Sequence, residues 1–177
     1  EIARALREIG LAVGEPPARQ GFTPSVFSTL PRLLERTGNS DKGSITAFYT
    51  VLVSGDDMNE PVADETRAIL DGHIILSRDL AARAHYPAID ISESVSRVMS
   101  HIVETEHMEA AQKLREVVAA YEKERDLILI GAYEAGSDPR VDYAIEKIEE
   151  VNAFLKQDVD ENIDFDESFA RLKEIFG

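Results

Sequence analysis

The sequence predicts an α/β region over residues 1–104 followed by a small all-helical domain over residues 105–177. Before residue 105, strand-like and helix-like segments alternate and are separated by loops rich in glycine and proline, as is typical of α/β folds. After it, apolar residues recur at intervals of three and four, which is the helical period. The net charge also changes, from −5 over the first region to −10 over the second.

The first elements along the chain are predicted to be helices. Apolar residues at helical spacing predict one helix over residues 2–9, and two prolines within residues 10–21 interrupt it. A second helix is predicted over residues 25–36, where Leu30 and its apolar neighbours share one side. Pro31 falls inside this helix and is expected to kink it or to mark a junction.

Strands and helices then alternate. Residues 44–53 give the strongest strand signal, because they are rich in β-branched and aromatic residues and almost continuously apolar. Such a segment is typical of a strand covered on both faces of a parallel sheet. A loop over 55–61 and a helix over 62–70 lead to a short buried strand over 73–76. A helix over 77–83 follows, so crossover connections are expected between the strands.

The second region reads as three helices. The first is long and runs from Thr105 to about Ile130. Ser137 is expected to cap the next helix, with Pro139 inside its first turn. The last helix is predicted over residues 165–176.

Composition excludes several classes of function. The chain contains no cysteine, which rules out disulfides and thiolate metal sites. Its net charge of −15 argues against nucleic acid and against an anionic membrane surface as the main partner. No apolar run approaches the roughly 20 residues of a membrane span. The chain opens as if in mid-helix, without methionine or signal peptide, so we expect a longer protein around it.

The familiar motifs for phosphate and metal binding are missing or wrongly placed. No Gly-x-x-x-x-Gly-Lys-[Ser/Thr] loop occurs, and Lys42-Gly43-Ser44 has the wrong order and precedes a strand. No histidines are spaced four apart as for zinc. The acidic run over residues 158–166 imitates a calcium loop, but Ile163 and Phe169 occupy the positions that need glycine and glutamate. No metal site is predicted.

Two side chains in one apolar stretch point to nucleotide chemistry. Tyr86 and Arg97 are about ten residues apart, and nucleotide enzymes use an aromatic ring against the base and a guanidinium against phosphoryl charge. The commoner alternatives are a tyrosine at the rim of the core and an arginine in a surface ion pair. Asp56 and Asp57 occupy a loop, either as plain solvated turn residues or as the tip that meets a partner.

Nine stretches together resemble the ATPases of type III protein export, a family related to the catalytic subunit of rotary ATP synthases. They include Gly-Phe-Thr-Pro-Ser-Val-Phe, Gly-Asp-Asp-Met-Asn-Glu-Pro-Val-Ala-Asp and His-Tyr-Pro-Ala-Ile-Asp. The stretches are residues 7–18, 21–27, 30–38, 43–53, 55–64, 70–78, 85–90, 131–139 and 154–161. The last two look more like the flagellar branch than the virulence-secretion branch.

The resemblance implies a RecA-like core that works as a ring of six and hydrolyses ATP between subunits. Arg97 occupies the place of the arginine finger, which reaches the γ-phosphate bound by the neighbouring subunit. Tyr86 occupies the place of the aromatic that packs on adenine in its own subunit. Phe154 and Val159 fall where the helical domain closes the adenine pocket, although a second aromatic would be expected near Val159.

The resemblance also implies cofactors, partners and location. ATP and Mg²⁺ would be bound mainly by sequence that precedes these residues in the family, so the chain alone is predicted not to hydrolyse ATP. Asp56 and Asp57 match a loop that faces the centre of the ring, where a coiled-coil stalk protein sits. Further partners would be the export gate and complexes of chaperone and substrate, with the ATPase cytoplasmic and peripheral to the inner-membrane export apparatus.

Three alternatives stay open. The protein could belong to the virulence branch of the same family. The acidic helical region could act as a docking module for chaperones or substrates, independently of catalysis. A non-catalytic subunit of a rotary ATPase also carries an arginine at the position of Arg97, but the export-type residues at 24–36 make it the least favoured.

Overall fold

The computed structural model describes all 177 residues. They form two compact units, Glu1–Asp71 and Gly72–Gly177. The first unit contains three helices and one short hairpin. The elements are α1 (Ile2–Ala12), α2 (Pro24–Leu34), β1 (Gly38–Ser40), β2 (Gly43–Ile45) and α3 (Pro61–Ile69), with a 3-10 turn at Arg19–Gly21.

The predicted helices of the first unit are confirmed, and α2 contains Pro31 without ending there. α1 runs through Gly10 instead of stopping before it. Gly10 is buried against the loop that precedes α2, and a Cβ atom there would lie 2.5 Å from the Thr23 hydroxyl oxygen. A glycine is therefore needed for the close approach. The core of this unit contains Ala3, Phe22, Val26 and Leu30.

A carboxylate from the loop caps α2. The Thr23 side chain, at the N-cap position, makes no capping hydrogen bond. Instead, Glu15 Oε1 accepts a hydrogen bond from the Ser25 amide at 2.8 Å. The hydrogen bonds from Ser25 lower the pKa of Glu15. An anion at a helix N-terminus is favoured by the helix dipole, so the link stabilises the turn between α1 and α2.

The predicted strand over residues 44–53 is wrong beyond Ile45. Residues 46–53 form no regular secondary structure and pair with no strand of this chain. Phe48 is 90% exposed and Leu52 is 73% exposed, so neither is covered. The physical reason is that a strand exists only with a neighbour that accepts its backbone hydrogen bonds, and β-branched composition cannot supply one.

The second unit contains one hairpin and five helices. Its elements are β3 (Gly72–Leu76), α4 (Arg78–Ala82), β4 (Ile89–Ser96), α5 (Met99–Ile102), α6 (Thr105–Leu129), α7 (Pro139–Leu155) and α8 (Phe165–Phe176). None of the helices combines the length and apolar character needed to cross a bilayer.

The hairpin corrects three expectations. β3 and β4 pair antiparallel, as do β1 and β2, so no crossover joins strands of this chain. β3 is half-exposed and not buried. Strand β4 was not predicted, because Asp90, Ser92 and Glu93 interrupt its apolar pattern. The register explains the interruption: four residues, Ile91–Ser94, face the single residue Ile74, which makes a special bulge in β4, larger than the usual two residues against one.

The three long helices form the core of the second unit. α6 packs along α7, and α8 closes the bundle. The buried side chains come from all three helices: Ala110, Leu114, Val117, Ala144, Ile148, Val151, Leu172 and Ile175. The cap of α7 is Asp138 and not Ser137, because the Asp138 carboxylate accepts the Arg140 amide at 2.9 Å. The predicted order, a mixed α/β region followed by helices, is confirmed.

Candidate functional site

The segment that carries Tyr86 is fixed by the end of α4. Two hydrogen bonds close that helix as a Schellman motif: the His85 amide to the Leu80 carbonyl at 2.9 Å, and the Ala84 amide to the Ala81 carbonyl at 3.0 Å. Ala84 holds the left-handed position of the motif, at φ 54°. The chain therefore leaves α4 in a defined direction, with His85 buried and the Tyr86 side chain 56% exposed.

Tyr86 is tied to the end of α7. Its carbonyl accepts the Gln157 amide at 2.9 Å, and the peptide bond between Tyr86 and Pro87 is cis. Pro87 and Phe154 line one cavity of about 130 Å³. The structure thus brings the Tyr86 segment and Phe154 to the same place, as expected for two sides of one small-molecule surface.

Four polar residues that no sequence motif indicated also line this cavity. Lys156, Gln157, Ser168 and Arg171 stand beside Phe154 and Pro87. Lys156 and Gln157 closely follow the predicted helix position Phe154, whereas no sequence signal indicated Ser168 and Arg171, which lie on α8. Arg171 is held by two carboxylates, Glu167 at 2.6 Å and Glu161 at 3.3 Å.

Val159 lies apart from this cavity. Its side chain is fully exposed in a turn after α7 and does not line the cavity. Val159 therefore contributes no wall to the cavity in this conformation.

His85 borders a second, larger cavity of about 510 Å³ between the α4 segment and the faces of α6 and α7. Burial lowers the pKa of His85 below its ordinary value of 6.5, and the nearby charges of Lys156 and Arg83 lower it further. Glu122 on α6 joins the two sides through its contact with Arg83 at 3.5 Å, and it also lies 3.7 Å from Arg125 on its own helix. The histidine beside the tyrosine is therefore neutral near pH 7.

Arg97 follows directly after β4. It lies at the open end of the hairpin, where Gly72 faces Ser96, whereas Tyr86 lies beyond the other end, where Leu76 faces Ile89. The Arg97 side chain is exposed. Opposite Ser96 the two strands approach closely, because a Cβ atom on Gly72 would lie 2.7 Å from the Val95 carbonyl oxygen. An exposed guanidinium on a rigid strand end can reach an anion on another molecule.

Asp56 and Asp57 lie in the first unit, at the tip of a tight turn. The Asp57 amide donates to the Ser54 carbonyl at 3.2 Å, and Gly55 and Asp56 have φ values of 61° and 60°. Positive φ at both central residues is characteristic of a type I′ turn. The Asp57 carboxylate accepts the Asn59 amide at 2.9 Å. Both aspartates are exposed, and the turn presents them to solvent on an ordered backbone.

Comparison with protein-family models identifies the class. Residues 1–96 match the nucleotide-binding domain of the ATP synthase alpha/beta family. Residues 103–174 match the C-terminal domain of the type III secretion ATPase EscN. The chain belongs to the ATP synthase alpha/beta family. The resemblance inferred from the sequence is thereby confirmed.

Relatives from both export branches match at similar identity. The flagellum-specific ATP synthase of Bacillus subtilis is 54% identical over 176 residues, which cover 99% of this chain and 40% of the relative. The type 3 secretion system ATPase of Pseudomonas syringae pv. syringae is 53% identical over 174 residues, covering 98% and 39%. The chain thus spans about 40% of the length of the curated relatives it matches.

Solved structures of related ATPases support the same family assignment. The assembled ATPase EscN from the type III secretion system of enteropathogenic E. coli superimposes with a TM-score of 0.94 at 48% identity, over 98% of this chain and 42% of that one. EscN in complex with its central stalk EscO gives a TM-score of 0.87 at 47% identity, over 98% and 41%.

Proposed function

We propose that this chain is the C-terminal portion of a ring-forming ATPase that couples ATP hydrolysis to the export of flagellar proteins. The intact ATPase would be a hexamer. In it, residues 1–104 complete the nucleotide-binding domain and residues 105–177 form a separate helical domain. The observation that carries the proposal is the geometry of the β3–β4 hairpin in a chain of this family. Arg97 is exposed at one end of the hairpin, and Tyr86 lies beyond the other end.

Arg97 supplies the catalytic guanidinium. Its place at the open strand end lets it act on the γ-phosphate held by the neighbouring subunit. A fixed cation there stabilises the charge that spreads over the transferring phosphoryl group, an effect worth roughly 10³–10⁵ in rate. Lysine would be a poor substitute, because a single ammonium cannot match the planar fork of donors on a guanidinium.

The adenine is held in the chain's own subunit. Tyr86 offers an exposed ring, and Phe154 lines the adjoining cavity with groups that can hydrogen-bond a purine edge, among them Gln157. The residues present therefore fit the base of ATP. Val159 reaches the base only if the turn after α7 moves inward when nucleotide binds.

Phosphate and Mg²⁺ binding are assigned to the part of the ATPase outside this chain. No group of three or more histidine, aspartate or glutamate side chains is arranged to hold a metal ion. When bound, Mg²⁺ would neutralise phosphate charge. This chain contributes Tyr86 and Phe154, which contact the adenine, and Arg97, which contacts the γ-phosphate of the neighbouring subunit.

The assembly partners follow from the relatives. EscN forms a complex with a central stalk protein. By analogy, the ordered turn with Asp56 and Asp57 faces the ring's centre and meets a coiled-coil stalk. The ATPase then works in the cytoplasm at the inner-membrane export apparatus, beside the export gate and the complexes of chaperone and substrate. A virulence-type cargo is the second candidate, because relatives from that branch match equally well.

The test is a comparison of two variants in the intact ATPase. Arg97→Ala should lower the turnover number by about 10³-fold or more and change nucleotide affinity less than about threefold. Tyr86→Ala should do the reverse, weakening nucleotide binding more than it lowers turnover at saturating ATP. Equal losses of binding and turnover in Arg97→Ala would contradict the proposed role. ATP turnover by the 177-residue chain alone, abolished by Arg97→Ala, would contradict the assignment of the phosphate site.

A further inference from the structure

The bulge in β4 is closed by its own side chains. Asp90 Oδ1 accepts the amide hydrogens of Ser92 at 2.9 Å and of Glu93 at 3.2 Å. The four bulged residues are therefore held in a defined loop, although they make no regular ladder with β3. The course of β4 after the bulge depends on where this loop ends.

Ser94 ends the bulge and rejoins the hairpin. Its hydroxyl donates to the Asp90 carbonyl and accepts the Ile75 amide at 2.9 Å. Ser94 is buried, so both partners would be left unsatisfied without the hydroxyl. The regular pairing of His73 with Val95 resumes at the next residue.

A cation from the helical bundle holds the same residue. Arg115 Nη2 donates to the Ser94 carbonyl oxygen at 3.0 Å. Arg115 lies on α6 between Leu114 and Val117, which are buried in the helical core. The backbone that carries the guanidinium is therefore rigid. The bond links α6 to a strand that reaches Arg97 three residues later.

We propose that Arg115 is a positioning residue for Arg97, through its hydrogen bond to the Ser94 carbonyl at the end of the β4 bulge. The inference rests on the proposed function, since it needs Arg97 to be the finger. Arg115 itself touches no nucleotide. It acts because a displacement of about 1 Å at a catalytic group costs on the order of 100-fold in rate.

The test uses steady-state ATP hydrolysis by the intact ATPase and the affinity of a fluorescent ATP analogue. Arg115→Met keeps most of the apolar stem and removes the donor. We expect its turnover number to fall about tenfold, with KM and analogue affinity within about twofold of the wild type. Arg115→Lys, which keeps a cationic N–H donor on a shorter side chain, should recover part of the loss. Lys113→Ala, which removes an exposed cation from the same helix, is the matched control and should leave turnover unchanged.

The double variant distinguishes positioning from other roles. In an Arg97→Ala background, Arg115→Met should lower turnover by less than about twofold, because the finger it positions is already gone. A full further tenfold loss in that background, or a rise in KM that accounts for the whole effect, would overturn the inference. Wild-type turnover in Arg115→Met would overturn it as well. If Arg97→Ala alone leaves turnover unchanged, the proposed function fails, and this inference fails with it.

Discussion

The close approach of Gly72 to β4 makes the end of the hairpin sensitive to one added methyl group. In Gly72→Ala, the new Cβ atom would lie 2.7 Å from the Val95 carbonyl oxygen, whereas ordinary contact begins at 3.4 Å. The strands must separate by about 0.7 Å at that point. The neighbouring Ser96 Cα, at 3.3 Å, leaves little room to move sideways. Because Arg97 follows at once, the backbone that carries its guanidinium moves by a similar amount.

The expected result is a loss of turnover without a loss of binding. A shift of this size predicts a turnover number lower by roughly 10- to 100-fold in the intact ATPase. The strain should also lower the free energy of unfolding by about 1–3 kcal/mol. Turnover, nucleotide affinity and urea unfolding are measured together. Leu76→Ala is the control, because Leu76 is exposed on the same strand at the end remote from Arg97. Unchanged turnover and stability in Gly72→Ala would refute this reasoning.

Three further predictions concern the 177-residue chain itself. The free energy of unfolding should fall as the pH drops below about 6.5, because burial lowers the pKa of His85 and the unfolded chain therefore binds a proton that the folded chain does not. In urea titrations at several pH values, His85→Gln should reduce this dependence on pH. His101→Gln, at an exposed histidine, should leave it unchanged. Ala84→Gly should raise the free energy of unfolding by about 1 kcal/mol, because Ala84 holds a left-handed conformation. Leu114→Ala should lower it by about 2–5 kcal/mol, and Leu129→Ala, at an exposed site on the same helix, by less than about 0.5 kcal/mol.

Each of these predictions has a contrary outcome. An identical pH slope in wild type and His85→Gln would assign the acid sensitivity to other groups. A destabilised Ala84→Gly would mean that the added freedom of the unfolded chain outweighs the relieved backbone strain. Equal effects of Leu114→Ala and Leu129→Ala would contradict the assignment of the helical core.

Helices were the predictable part of this fold. α6 and α8 lie where apolar spacing placed them, because an amphipathic helix makes its own backbone hydrogen bonds and only its packing depends on other segments. The missed cap of α7 was an error of one residue. Asp138 and Ser137 are both good N-caps, but proline favours the first helical position, so Pro139 favours Asp138.

Strands were less predictable, because their hydrogen bonds depend on segments elsewhere in the chain. Residues 46–53 have strand composition and no partner, whereas β4 has a partner and an irregular composition. The polar residues that hid β4 form its bulge, which lies just before Arg97. The resemblance to a known family indicated Tyr86, Phe154 and Arg97 as site residues. It did not indicate Arg115, because that contact joins residues 21 positions apart through a backbone carbonyl.

The central claim, that Arg97 acts on a nucleotide bound by another subunit, is tested most directly by mixing two inactive variants of the intact ATPase. One carries Arg97→Ala with an intact phosphate loop, and the other carries an inactivated phosphate loop with Arg97 unchanged. If the finger acts across the interface, co-assembled rings will regain ATP turnover, because some interfaces combine a working loop with a working arginine. Mixed rings no more active than either parent would contradict the account.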